Sequence, residues 1–185
     1  TILLGTHNYN NAREYDVLRK FLEHRVDGVA VVGLDHSEEV YNLIESQNIP
    51  SVSLWNYAKS SRLICVGADN FDAGRKIAAH VLAQGYSKIT TLFPPLAGND
   101  RATSRANGIM KVLEEGGVSP ALADQLETLY SISSAKKVVI DYLKSGSRPD
   151  AIICCNDILA LGAVYASQSL GLSVPEDIAV TGVGD

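Results

Sequence analysis

Short apolar runs alternate with amphipathic stretches along the 185 residues. Ile2 to Leu4 opens the series as a strand. From about Ala12 to His24, the residues Val17, Leu18, Phe21 and Leu22 recur at helical spacing, which predicts an amphipathic helix. The unbroken run Val29-Ala30-Val31-Val32 predicts a strand buried on both faces. Ser37 stands where a cap is needed for a helix to about Gln47, with Val40, Leu43 and Ile44 turned inward. "IPSVSLW" reads as the next strand, edged by Pro50.

Leu63 to Gly67 predicts a strand, followed by the loop Ala68-Asp69-Asn70 and a helix through Gln84. Lys88 to Phe93 gives another strand, leading through a loop to Asp100 and a helix to about Glu115. Beyond the Gly116-Gly117 break lie a weaker segment, Leu126 to Tyr130, and a helix over Ser134 to Lys144. Asp150 to Cys155 is a strand running into a helix from about Asp157 to Leu170, and Ile178 to Thr181 is the last strand. Repeated units of this kind predict parallel sheet covered by helices on both sides. Ligands bind such sheets beyond the carboxyl ends of the strands. The polar residues Asn8, Trp55, Asp69 and Asn70 fall there, as do Asp100, Arg101, Asn156, Asp157 and Asp185.

Composition narrows the functions open to this chain. The net charge is -5 and the basic residues are scattered, so no stretch could neutralise a run of phosphates. The cysteines are Cys65, Cys154 and Cys155, an odd set with two adjacent in a core strand. They predict buried thiols rather than disulfides or a metal site, since neighbouring strand residues point to opposite faces. No signal peptide or membrane span is visible. The chain opens inside a strand pattern and stops at "VTGVGD", so it reads as a fragment of a longer protein.

The common catalytic signatures are missing. There is no phosphate-binding loop, complete dinucleotide fingerprint or nucleophile elbow. His7, His24, His36 and His80 do not fall in ligand spacing, and no metal or cofactor is predicted. Asp69 and Asp157 are candidate proton carriers, but no nucleophile or charge-stabilising group completes a set around them. The remaining residues suit a polyol. Carboxylates accept hydroxyl protons, Asn donates and accepts, Arg offers a fork, and Trp covers an apolar sugar face.

The motifs "LRKFLEHRVDGVAVVG", "IPSVSLW", "VGADNFDAGRKIAAHVLAQGYSKI", "DRATSRANG", "PDAIICCNDILALGAV" and "GLSVPEDIAVTGVGD" occur in one order. In that order they resemble the effector-binding core of LacI/GalR-type bacterial transcription repressors, over nearly the whole chain. "GVGD" and Trp55 look most like the gluconate-repressor branch. The resemblance implies an α/β, type I periplasmic-binding-protein-like fold. It would have two Rossmann-like lobes of parallel sheet, present here as an incomplete fragment. Residues 1–69 would be part of the N-terminal lobe and 70–185 most of the C-terminal lobe. A small-molecule effector, a sugar or a sugar acid such as gluconate, would bind between the lobes. The parent would be a cytoplasmic homodimer that holds operator DNA through an N-terminal helix-turn-helix domain absent from this chain. A secreted sugar-binding protein of the same fold and a sugar-processing α/β enzyme are the competing readings.

By resemblance, Arg105 and Asn156 contact the effector. Asn156 would equally serve as a helix cap, and Arg105 as a surface arginine paired with a carboxylate. Asp69 resembles the aspartate at the lobe crossing, or forms a simple Asp-Asn turn. Trp55 stacks on ligand or packs at the lobe edge. Arg101, Tyr130 and His7 complete the expected set. Many family members carry two acidic residues in the final motif. Here Gly184 takes the first place, which makes that corner less negative and, with Arg101 and Arg105 nearby, favours an acidic ligand.

Overall fold

The computed structural model describes residues 1–118, 120–121 and 124–184. Two compact units divide the chain: residues 1–69 with 97–101, and residues 70–96 with 102–185.

The first unit is built on a parallel sheet of order β1-β2-β3, formed by β1 (Val29–Val32), β2 (Ser51–Leu54) and β3 (Ile64–Val66). A 3-10 turn over Asn11–Arg13, capped by Asn10 Oδ1 accepting from Ala12 N, starts α1 (Glu14–Glu23). Ser37 Oγ accepts from Val40 N and starts α2 (Glu38–Gln47), so the predicted cap is real. That helix ends where Asn48 turns left-handed at φ 49°, a conformation Asn tolerates. Leu18, Val29, Val31, Val40 and Ile44 form the core.

Two expectations fail in this unit. Ile2 to Leu4 is not a strand, and Ile2 and Leu4 are among the most exposed apolar residues. An apolar run becomes a strand only when a neighbour supplies its ladder, and β1 pairs with β2 alone among the described strands. Val29–Val32 is buried on one face only: Val29 and Val31 face the core while Ala30 and Val32 are exposed.

The second unit carries a four-stranded parallel sheet of order β5-β4-β6-β7. Its strands are β4 (Ile89–Phe93), β5 (Gln125–Glu127), β6 (Ala151–Cys154) and β7 (Ala179–Thr181). Its helices are α3 (Asn70–Ala83), α4 (Asp100–Glu115), α5 (Ile132–Lys144) and α6 (Asp157–Ser169), with the first two residues of α4 belonging to the first unit. The weak segment at Leu126 proves to be the edge strand β5, three residues long. Both central strands, β4 and β6, are buried at every position, as expected for parallel sheet covered on two faces. Leu92, Ile109, Leu113, Ile152, Ile153 and Leu159 fill the core.

Helix packing here depends on missing side chains. A Cβ on Gly74 of α3 would collide with the carbonyl oxygen of Arg105 on α4. Gly162 of α6 likewise faces Ala135 of α5. Cys154 and Cys155 are fully buried free thiols, and burial pushes the Cys154 thiol well up.

Candidate functional site

A pocket of about 230 Å³ lies in the first unit, lined by residues that follow the carboxyl ends of β1 and β2. His7, Trp55 and Arg101 all line it, with Asn8, Tyr9 and Asp100. Trp55 directly follows β2, is 67% exposed and has φ 62°. A left-handed Trp is uncommon and costs on the order of 1 kcal/mol, which the surroundings must hold in place. Its backbone N–H donates to Val66 O at 2.9 Å, and Gly67 leaves room where a Cβ would strike Trp55. Asn8 and Tyr9 also have positive φ, 50° and 59°. The Nδ1 atom of His7 is buried without a hydrogen-bond partner.

Asp100 organises this wall. Its Oδ2 accepts from Leu34 N at 2.7 Å and Asn56 Nδ2 at 2.8 Å. Its Oδ1 accepts from Arg101 N and Arg101 Nη1, both at 2.9 Å. Four bonds fill a carboxylate's accepting capacity, so Asp100 shapes the pocket and its charge is answered by Arg101.

Beneath it, His36 Nδ1 meets both oxygens of Glu14 at 2.8 and 2.9 Å, and its Nε2 meets Gly33 O at 2.9 Å. Burial works against a charged His36. The hydrogen bond and charge of Glu14, the Gly33 carbonyl and Asp100 outweigh it, and the pKa is raised above 6.5. Neither residue stood out in the sequence. Their pairing spans 22 positions and follows no periodicity.

In the second unit, β4 leads to α4 and β6 leads to α6, and β5 lies on the other side of β4 from β6. The chain therefore reverses direction between β4 and β6, the switch point where open α/β sheets bind ligands. Asn156 sits there, 5% exposed. Its Oδ1 caps α6 by accepting from Leu159 N at 3.0 Å, while its Nδ2 is buried without a partner. Of the two roles weighed for this residue, the helix cap is observed. Arg105 Nη1 donates to Asn70 Oδ1 at 2.5 Å, rather than to a carboxylate, and Arg105 Nε is buried without a partner. The guanidinium lies beside Cys155, whose thiol is pushed up by burial and pulled partly back by that charge.

Asp69 and Tyr130 are both exposed, Asp69 just ahead of α3 and Tyr130 between β5 and α5. Neither lines the first-unit pocket. Asp185 lies outside the described residues. Gly184 has a local reason: a Cβ there would overlap the Asp157 carboxylate. Among the described residues, no group of three or more His, Cys, Asp or Glu is placed to hold a metal. No helix among them is long and apolar enough to cross a membrane.

The family described as "Periplasmic binding protein domain" matches residues 1–185. The HTH-type transcriptional regulator GntR of Pseudomonas aeruginosa is 30% identical over 185 residues, covering 100% of this chain and 53% of that protein. The HTH-type transcriptional repressor PurR of Photorhabdus laumondii is 29% identical over 183 residues, covering 98% and 53%. The crystal structure of transcription regulator GntR from Chromobacterium violaceum superposes with a TM-score of 0.88 at 32% identity, covering 98% of this chain and 66% of that one. The chain thus spans about half the length of the curated relatives it matches.

Proposed function

For a chain that belongs to the periplasmic binding protein domain family, and to the LacI/GalR superfamily of transcriptional regulators, we propose a role as the effector-sensing part of such a regulator. Residues 1–69 contribute to its N-terminal lobe and 70–185 to its C-terminal lobe. The whole protein is a cytoplasmic homodimer that binds operator DNA through a separate N-terminal domain. Its effector is a sugar or sugar acid, with gluconate the first candidate.

One observation carries this reading. Two donors, Arg105 Nε and Asn156 Nδ2, are buried without partners beside the switch point of the second sheet. Left unpaired, such donors cost about 1–3 kcal/mol each. Oxygen atoms of a ligand would recover that cost, which supports an acceptor-rich effector. The acid preference rests on Arg105, because Arg101 is already matched by Asp100. Asp69, Trp55, Tyr130, Arg101 and His7 belong to the same proposed binding set. An effector that completes one arrangement of the domain better than another shifts the population between them, and so shifts DNA affinity.

Calorimetric titration of the full-length protein with gluconate and with neutral sugars tests this. Saturable gluconate binding is expected, weakened roughly 10- to 100-fold in Arg105→Ala, the worth of one charge-assisted hydrogen bond. Neutral sugars binding while acids do not would reject the acid. Turnover of the bound compound, or binding that leaves operator affinity unchanged, would reject the regulatory role.

A further inference from the structure

The geometry points to His36 as a positioning residue of the first-unit pocket, a charged imidazolium that ties the Gly33–His36 loop to Glu14 and makes ligand binding there proton-linked. The inference rests on the pocket being part of the effector site.

His36 Nδ1 faces two carboxylate oxygens and Nε2 faces a carbonyl oxygen. Every partner is an acceptor. A neutral imidazole has one N–H and one lone pair, so it would aim that lone pair at either Glu14 or Gly33 O. Against a Glu14 carboxylate, only the doubly protonated ring satisfies both. The side chains of His36 and Glu14 are 1% and 9% exposed, so water does not substitute for either contact.

That ring secures the segment that floors the pocket. Gly33 O accepts from His36 and from Ser53 Oγ, and Gly33 N donates to Leu54 O at 3.1 Å. Leu34 N donates to Asp100, and Leu34 O accepts from Tyr41 Oη at 2.8 Å. Asp35 O accepts from Asn11 Nδ2 at 3.2 Å. Of these ties, the ones through His36 alone depend on a group that titrates near neutral pH.

The carboxylates around the ring favour its proton. Glu14 approaches from α1, Asp100 from the start of α4, and Asp35 adjoins it in the loop. From α2, Tyr41 meets the ring edge-on at 5.4 Å, and the Arg62 guanidinium covers the Tyr41 ring at 4.3 Å. Arg101 is spent on Asp100. The folded pKa lies above 6.5, so the tie is fully present below 6.5 and is lost as pH rises through the folded value.

Two readouts on the full-length protein test this. Imidazole nitrogen resonances and amide exchange at Gly33 to His36 are followed from acid to alkaline pH, and the dissociation constant of D-gluconate is measured at both ends. His36 should hold both ring protons at neutral pH, and loop exchange, corrected for its intrinsic pH dependence, should rise as the ring loses one. Gluconate should bind about fivefold or more weakly at the alkaline end. Glu14→Gln should bring the titration down, and His36→Gln should leave loop exchange and affinity flat with pH. A His36 that titrates at or below the ordinary histidine value, or loop exchange with no break at its titration, overturns the inference. Absence of gluconate binding at every pH rejects that effector, while the ring and loop measurements still decide the role of His36.

Discussion

Removing the Asn156 side chain should cost far less stability than an ordinary cap deletion, and the right replacement should raise stability. Its Oδ1 caps α6 through Leu159 N at 3.0 Å. Loss of such a cap costs about 1 kcal/mol, with a range of roughly 0.5–2. Its Nδ2 is a buried donor with no partner, a liability of about 1–3 kcal/mol that disappears with the amide. Asn156→Ala loses the cap and sheds the liability, so the two terms roughly cancel. Asn156→Ser keeps a capping hydroxyl and sheds the liability, for a net gain of about 1 kcal/mol. That corresponds to about 2–4 °C in Tm for a chain of this size. Urea unfolding of the three proteins, without sugar, at one pH and protein concentration, reads both differences from the midpoints at common slope. Serine and alanine variants both less stable than wild type by 1 kcal/mol or more would refute the reasoning. The amide would then be satisfied in solution, and its role as a waiting ligand donor would fall with it.

Gly162→Ala should destabilise by about 1–3 kcal/mol through overpacking, since its new methyl would meet Ile132 O at 2.8 Å and Lys136 N at 3.0 Å on α5; an unchanged urea midpoint would show that the helices part freely. Asp150 accepts from Lys88 N at 2.9 Å and Ser87 N at 3.3 Å, and chiefly the Lys88 amide holds its carboxyl below 3.8. Its contribution is present above 3.8 and is lost as pH falls through the lower folded value. The stability gap between wild type and Asp150→Asn should therefore be constant near neutral pH and close in acid, and a gap independent of pH would contradict this.

Periodicity carried the second unit because its strands are short, apolar and separated by helices of ordinary length. Ile152 and Ile153 read as core in sequence and are core in the structure. Ile2 to Leu4 looked the same and formed no strand, because pairing depends on a neighbour that a local pattern does not encode. Val29–Val32 looked buried on both sides for a similar reason: composition records that a residue tolerates burial, not that something covers it. At the candidate sites, Asn156 was legible because a polar residue between a core strand and a helix has few reasons to be there. The Glu14–His36 pair was not, since neither residue is unusual alone and only the fold brings them to 2.8 Å. Asp100 was legible as polar at a strand end, but its partners come from Leu34, Asn56 and Arg101, which no spacing rule links.

The close passage of α3 behind Arg105 gives the arginine proposed to meet the effector a second owner. Gly74 sets how near the two backbones come, and Asn70, on the same helix, holds the guanidinium. Ligand choice can therefore drift without any change in the pocket wall. A methyl gained at position 74, or a shorter or longer side chain at 70, would move the charge relative to its target while every contact residue kept its identity. Divergence in specificity among proteins with this architecture should then leave part of its record on α3, behind the arginine, and a search confined to pocket positions would pass over it.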